Sequence, residues 1–452
     1  MKAAVHEINA VHSSPAIRAG QLVFTSGFLG VSPNTGRLVS NFQDLDDEGK
    51  SFATGMLAVD AWIEGVGAQF WQASRNLKAA LEAEGSSIGQ VVLFNFYSMQ
   101  MHHHHLINTL RSTLFRPTTT PPNTGMQVAA NPAGALMQAA AIGFVQKNSE
   151  WQRRIIKESA VSQAMSAYDL GVQIGPFLFT GDFVPGSKKL QRAIDSYVDV
   201  PALPETLRPA DLMRESSEQT IRSQTWFLYE NIRDVLTEND AKLDDIVKLR
   251  VYLTDMRDVA SFSEIHQAFF GGHRPVVVFA AAVKLGRPEF RVAIEVTAVV
   301  TQSLTHDRFK PRFIDSTSKV FSGGSAGVVV GPYVFLGNST TTSPKPYRMV
   351  AYEELERAGL DIDLITGPAI AETWEALQHG SRLLQSAGAS LGDVVSLSIY
   401  LISMDDLHAV NRVLKHVFPV RPPAVTVIQV PGMPVRGTRI EIEITAYRNQ
   451  AG

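Results

Sequence analysis

The chain has 452 residues and no cysteine, which excludes disulfides, thiolate nucleophiles and thiolate metal sites together and fits a reducing compartment. No stretch has the apolar length to span a bilayer. The opening segment, MKAAVHEINAVHSSPAIRAG, lacks the continuous apolar run of a secretory signal, so a cytoplasmic location is expected. Long basic runs are missing as well, and the formal net charge is -3. Neither nucleic acid nor membrane is therefore an expected partner, because both are held by clustered Lys and Arg. No phosphate loop of Walker or dinucleotide type is present, since FSGGSAG precedes a strand rather than a helix, and there is no GxSxG elbow. The sequence gives no reason to expect a cofactor.

What is present is a repeat. Tryptophan is scarce, 5 residues in 452, yet three of them stand in register with three other side chains. The pattern reads Trp71, Tyr97, Met101, Phe115, then Trp226, Tyr252, Met256, Phe270, then Trp374, Tyr400, Met404, Phe418. Triplication of one structural unit explains this spacing, and the length suggests about three domains. The aromatics themselves read as core residues that support the fold.

Each copy opens with a short apolar strand (GQLVFTSGF, GPFLFTGDF, GPYVFLGNS), followed by a variable insertion and a helix with apolar residues at helical spacing. A strand comes next (VVLFNFYSM, IVKLRVYLTDM, VVSLSIYLISM), then a second helix and two closing strands. The order β-α-β-α-β-β predicts an α+β layer with both helices on one face of a mixed sheet. The expected domains are 1-148, 160-303 and 316-452, with polar linkers near 147 to 160 and 303 to 318. The insertions at 36 to 66, 186 to 218 and 342 to 370 differ between copies, so they are either lids over sites or surface decoration.

These units resemble the Rid family, also called the YjgF or UK114 family, whose members are named for deaminating reactive enamines and imines. The likeness rests on the TSG of Thr25, Ser26 and Gly27, on Gln69 and Asn76 repeated as Gln224 and Asn231, on Asn108 and Asn411, and on a closing strand with Glu295 or Glu443. It covers nearly the whole chain apart from insertions and linkers. The resemblance implies three YjgF/chorismate-mutase-like units forming an intramolecular pseudo-trimer, with a ligand cleft between neighbouring units and further oligomerisation open to it.

The family's deaminase chemistry uses an Arg two residues after a Pro at the start of the fifth strand, where a guanidinium can hold a carboxylate. Aligned on that strand, the copies carry Asn123, Val277 and Ala424 instead. Arg274 and Arg421 stand shortly before this position, either reaching a cleft or facing solvent. The family's acidic position falls on Glu295 and Glu443, with Gln138 in the first copy. These glutamates are either general acid/base groups raised by partial burial or members of plain ion pairs. Gly181 and Asp182 replace the SG pair in the second copy, and Gly337 and Asn338 in the third; Asp182 is either a new catalytic carboxylate or a turn residue. Ser26, Gly27, Asn108, Asp182, Arg274, Asn338, Asn411 and Arg421 are the candidate substrate contacts, with Glu295 and Glu443 as catalytic candidates.

His102 to His105 open the first copy's second helix. Adjacent helical residues point about 100° apart, so at most His102 and His105 share a face, and no metal site is expected. The resemblance and the residues together point to a small-molecule enzyme adding water across an imine, enamine or similar polarised bond. The rival from another class is a non-catalytic ligand-binding or assembly protein on the same scaffold. An RNA-cleaving role is disfavoured by the acidic balance.

Overall fold

The computed structural model describes residues 11–53, 58–116, 118, 120–157, 159–162, 168–208, 215–300, 307–315, 321, 323–339, 352–360 and 367–448. Three six-stranded sheets follow one another along the chain. The first holds β1 (Ala16–Ala19), β2 (Leu22–Thr25), β3 (Phe28–Leu29), β4 (Val91–Ser98), β5 (Asn123–Gln127) and β6 (Met137–Phe144). The second holds β7 (Arg153–Ile156), β8 (Gly171–Ile174), β9 (Phe177–Phe183), β12 (Ile246–Leu253), β13 (Val276–Ala281) and β14 (Val292–Val299), while β10 (Gly186–Ser187) and β11 (Arg192–Ala193) make a separate small hairpin. The third holds β15 (Arg312–Ile314), β16 (Gly327–Val330), β17 (Tyr333–Ser339), β18 (Val394–Leu401), β19 (Ala424–Gln429) and β20 (Ile440–Tyr447). Two long helices accompany each sheet: α1 (Ala58–Ala83) and α2 (His104–Leu114), α3 (Glu215–Glu238) and α4 (Val259–Phe270), α5 (Gly367–Ser386) and α6 (Leu407–Val417). A sheet with its two helices is called a unit below.

The middle strands β4, β12 and β18 are rich in β-branched and aromatic residues and are buried on both faces, as strands covered by helices on one side and by other sheets on the other must be. Each pairs in parallel with the strand that follows its second helix, β5, β13 or β19, the arrangement a helical crossover requires. The helix-side cores are separate, one per unit; Trp71 and Phe115 belong to the first of them. The opposite faces of all three sheets meet in a single shared core that contains Tyr97, Tyr252 and Tyr400. The repeated tyrosines therefore face inward to the junction of the three units, whereas the repeated phenylalanines hold the helices.

Each opening strand is the second arm of a hairpin. The glycines that begin the apolar segments, Gly20, Gly175 and Gly331, are its turn residues, at φ of +61°, +52° and +58°, where L side chains are disfavoured. The first arms (AIRA, GVQI, GVVV) are four residues each, too short for periodicity to reveal. The stretches expected as linkers contain the edge strands β7 and β15, which pair with β8 and β16. The described parts of the insertions fold back onto helices. Phe42 and Leu45 are buried beside Trp71, whose indole donates to Asp46 Oδ1 at 3.3 Å, and Gln224 Nε2 donates to the Ile194 carbonyl at 2.8 Å.

Strand register corrects two sequence alignments. Asn95, Arg250 and Ser398 stand opposite Ala140, Glu295 and Glu443, so the first copy's counterpart of the two glutamates is Ala140. Gln138 pairs with Tyr97, as Ala293 does with Tyr252 and Glu441 with Tyr400. On the fifth strand, Asn123, Val277 and Val425 stand opposite Phe94, Leu249 and Leu397; the third copy's position is Val425, not Ala424. The consecutive prolines Pro422 and Pro423 offered two starting points, and only the ladder decides between them.

Phe94 is fully buried and meets Phe115 edge-on at 5.5 Å and Phe70 at 6.1 Å. Phe94→Ala should cost about 3–5 kcal/mol in urea unfolding, the transfer loss plus a cavity the rigid strand cannot close; an unshifted transition would contradict this packing.

Candidate functional site

At the junction of the three sheets lies a buried ionic cluster. Arg250 on β12 donates through Nε to Glu443 Oε2 at 2.9 Å and through Nη2 to Glu443 Oε1 at 3.0 Å, and its Nη1 lies 3.3 Å from Glu295 Oε1. Lys248, two residues earlier and on the same strand face, also bonds Glu443 Oε1. Glu295 Oε2 accepts from Thr124 Oγ1 at 2.8 Å and from Asn95 Nδ2 at 3.3 Å, both from the first unit. Tyr252 and Tyr400 place their hydroxyls 3.5 and 3.3 Å from Glu295 and Glu443. Glu295 and Glu443 are 4% and 2% exposed. Burial alone would raise the Glu443 carboxyl, but the Arg250 and Lys248 cations outweigh it and hold its pKa at about 2. Glu443 is thus an ionised, saturated acceptor rather than a poised acid. The space beside this cluster is about 50 Å³, room for a few waters.

Neighbouring units meet where β5 packs on β9, β13 on β17 and β19 on β2, and the three seams differ chemically. At the third-to-first seam the backbones dock directly. Ser26 Oγ donates to the Ser14 carbonyl at 2.6 Å and accepts from Val425 N at 2.9 Å, and Gly27 N donates to the Val425 carbonyl at 3.1 Å. Asn411 Oδ1 accepts from His12 N at 2.9 Å. Ser26, Gly27 and Asn411 are therefore engaged in joining the units, and the helix position four residues before the repeated Phe is Leu414, buried in the third unit's helix-side core.

At the second-to-third seam Val277 lies beside Gly337, and the helix position four residues before the repeated Phe is His266. This imidazole is fully buried, with Nε2–H donating to the Gly323 carbonyl at 3.1 Å, which leaves Nδ1 to accept from the Tyr229 hydroxyl at 2.7 Å. Burial pushes its pKa down to about 4, so it is a neutral bridge stacked on Phe270 at 4.4 Å. Asn338 lies on β17, and its side chain is outside the described residues.

The first-to-second seam gathers a cation, a phenol and a carboxyl. Asn123 heads β5, and Gly181 on β9 approaches so closely that a Cβ there would stand 2.7 Å from the Asn123 carbonyl oxygen. Arg111 occupies the helix position of His266 and Leu414, is 1% exposed, and donates to Asn123 Oδ1. Its guanidinium lies 5.3 Å from the centroid of the Tyr168 ring, a cation–π distance. Tyr168 donates its hydroxyl to the half-buried Asp182 carboxylate. Asp182 is the Cα partner of Glu295 on the neighbouring strand. Burial raises the Asp182 pKa to about 7; the Glu295 charge also raises it, while the Tyr168 hydrogen bond and Arg111 pull it down. Burial likewise lowers Arg111 to about 10, opposed by Tyr168 and Asp182. Among the described residues Arg111 has no carboxylate within ion-pair distance, an arrangement that buried cations seldom tolerate unless a ligand completes it.

The remaining candidates lie apart from this seam's acid. Asn108 donates to His104 Nδ1 at 3.1 Å, and His104, stacked on Phe96, is held down at about 4 by burial. Arg274 and Arg421 are exposed. Arg111, Tyr168, Lys248 and Arg250 were not singled out by sequence reasoning. The two strand cations had a signal, since IVKLRVYL places charges where the other copies have Leu93, Asn95, Ser396 and Ser398.

Comparison with known proteins bears on this geometry. The family model described as Endoribonuclease L-PSP matches residues 208–300 and 359–448. A RutC family protein of Pyrococcus abyssi is 29% identical over 147 residues, 32% of this chain and 95% of that protein. A 2-iminobutanoate/2-iminopropanoate deaminase of mouse is 35% identical over 85 residues, 19% of this chain and 62% of that protein. Among solved structures, a YjgF/YER057c/UK114 family member from Mycobacterium tuberculosis is 25% identical over 30% of this chain and 99% of its own, with a TM-score of 0.24. A chorismatase structure covers 79% of this chain and 93% of its own at 14% identity and a TM-score of 0.48. No described helix is long and apolar enough to cross a membrane. With the family model and these relatives together, the second and third units, over residues 208–300 and 359–448, belong to the Rid family.

Proposed function

We propose that the protein is a hydrolytic deaminase of Rid type, acting on a small anionic imine or enamine at the seam between the first and second units, with Asp182 as acid and base. The observation that supports this reading is Asp182 itself, a half-buried carboxyl with a pKa of about 7, hydrogen-bonded by Tyr168 and within the field of Arg111. A group titrating at the working pH is the efficient proton carrier. Deaminase names among the relatives support the reaction class.

In this reading the Arg111 guanidinium takes the part of the missing strand arginine. It arrives from α2 rather than from β5, and pairs with a substrate carboxylate. Protonated Asp182 gives its proton to the imine nitrogen, which sharpens the electron deficiency at carbon. Water adds to that carbon, and the Asp182 carboxylate takes the proton the water gives up. Collapse of the resulting carbinolamine releases ammonia and leaves the ketone. Tyr168 fixes the carboxylate's orientation, and Asn123 fixes the guanidinium. Glu295 acts from the next strand through its charge, and Glu443 belongs to the cluster that holds the units together.

Asp182→Asn should lower turnover of 2-iminobutanoate, generated in situ and followed by ammonia release, by roughly 10²–10⁴-fold, with the melting temperature kept; turnover within twofold of the parent would contradict the assignment. Glu443→Gln leaves Arg250 and Lys248 without their main acceptor, and is expected to destabilise by about 3–5 kcal/mol while the folded fraction retains activity. Loss of chemistry without loss of stability in that variant would return the acid/base role to Glu443.

A further inference from the structure

The first long helix of every unit holds the residue just before the last strand. Leu136 N donates to Gln69 Oε1 at 2.7 Å, Arg291 N to Gln224 Oε1 at 2.8 Å, and Arg439 N to Glu372 Oε2 at 2.8 Å. Strand register makes these positions equivalent, because the residues that follow, Met137, Val292 and Ile440, pair with Ser98, Leu253 and Leu401. The turn before them repeats as well: Ala135 N donates to the Pro132 carbonyl and Phe290 N to the Arg287 carbonyl at 3.1 Å, and Thr438 N to the Val435 carbonyl at 3.2 Å.

The second polar atom of this side chain differs. In the first two units it is a donor: Gln69 Nε2 bonds the Val39 carbonyl at 3.1 Å, and Gln224 Nε2 bonds the Ile194 and Glu289 carbonyls at 2.8 Å. In the third unit the corresponding atom is Glu372 Oε1, which meets no donor among the described residues, and Glu372 is 7% exposed. A carboxylate oxygen buried without a donor forfeits its hydration and gains nothing in exchange. A proton on it removes the charge and restores the donor that the two glutamines present.

We infer that Glu372 is a proton-operated catch between α5 and β20: protonated, it takes the part of the repeated glutamine, and ionised, it loosens the third unit. Burial is the main cause that raises the Glu372 pKa, and the Asp406 charge adds to it, while the backbone N–H groups of Arg439 and Ile440 and the Arg439 charge pull it down. Arg439, just before β20, and Asp406, just before α6, are the charged groups facing Glu372, and they pair with each other at 2.9 Å, so the Arg439 charge is shared. On α5 itself Glu375 and His379 follow on the same side, three and seven residues on; burial, with the Arg382 charge, holds His379 below the ordinary imidazole range. Linkage fixes the direction of the effect. The closed junction retains a proton that an open, hydrated Glu372 releases, so its stabilisation is complete below the ordinary glutamate value of about 4.3 and is lost as pH rises through the folded-state value.

Two measurements on the full chain test the catch. Carboxyl-carbon NMR of the 13C-glutamate-labelled protein follows the assigned Glu372 signal, whose midpoint is expected above the ordinary glutamate range. Hydrogen exchange, corrected for the intrinsic pH dependence, follows the amides of Arg439 and Ile440 in the parent and in Glu372→Gln, which restores the amide of the other two copies. Protection in the parent should fall by about tenfold for each unit by which the Glu372 midpoint is raised, as pH passes from below the ordinary value to above the folded one. In Glu372→Gln that fall should vanish. A Glu372 midpoint at or below about 4.3 would overturn the inference without recourse to any variant. Protection in the parent that stays level with pH, or a fall that persists unchanged in Glu372→Gln and so belongs to Asp406 or His379, would overturn it too.

Discussion

Arg250 is the side chain on which the arrangement of the three units turns. A guanidinium buried among three apolar sheets is costly unless every donor is directed at an acceptor, and Arg250 meets that demand with carboxylates from two strands, Glu295 of its own unit and Glu443 of the third. The first unit completes the set through Thr124 and Asn95. All three units thus contribute to one network, and they contribute unequally. The second unit supplies the cations, the third the principal anion, and the first only neutral donors. Such a division defines an order of units around the junction that apolar packing alone would leave degenerate, a role buried polar groups are known to play in other assemblies.

The seams show what that inequality permits. Each is built from the same strands, and each receives a side chain from the same helix position, Arg111, His266 or Leu414 in turn. The leucine seam is joined by backbone hydrogen bonds through Ser26 and Gly27. The histidine seam is bridged by a neutral imidazole between Tyr229 and Gly323. Among the described residues only the arginine seam gathers a cation, a phenol and a carboxyl with a near-neutral pKa. It is also the seam nearest Glu295, so the central cluster and the candidate site share one carboxylate: the same charge that receives Arg250 raises Asp182 across the strand pair.

Much of the fold was legible in the sequence. The Trp-Tyr-Met-Phe spacing marked three copies because packing residues must recur wherever the same helix meets the same strand. The element order followed from periodicity. Two-sided burial hid the rest. The hairpin arms AIRA and GVQI are too short to show a period, and β7 and β15 carry charged residues that read as linker. Of the site, Asp182 was visible as an acid in a glycine position, whereas Arg111 was not, because an arginine on a helix is ordinarily a solvated one and only the tertiary fold buries it. The closing glutamates were visible as residues, but the cations that neutralise Glu443 come from a strand roughly 195 positions earlier in the chain. Register errors such as Gln138 for Ala140 and Ala424 for Val425 arose where a ladder, rather than a motif, fixes the correspondence.

The most direct test is the titration of Asp182 itself. With carboxyl-carbon NMR on the 13C-aspartate-labelled protein, and Asp182→Asn to assign the signal, the Asp182 resonance should shift with a midpoint near pH 7, well above the ordinary aspartate range. A midpoint near 4 would show an ordinary surface carboxylate and remove the physical basis for acid–base chemistry at this seam.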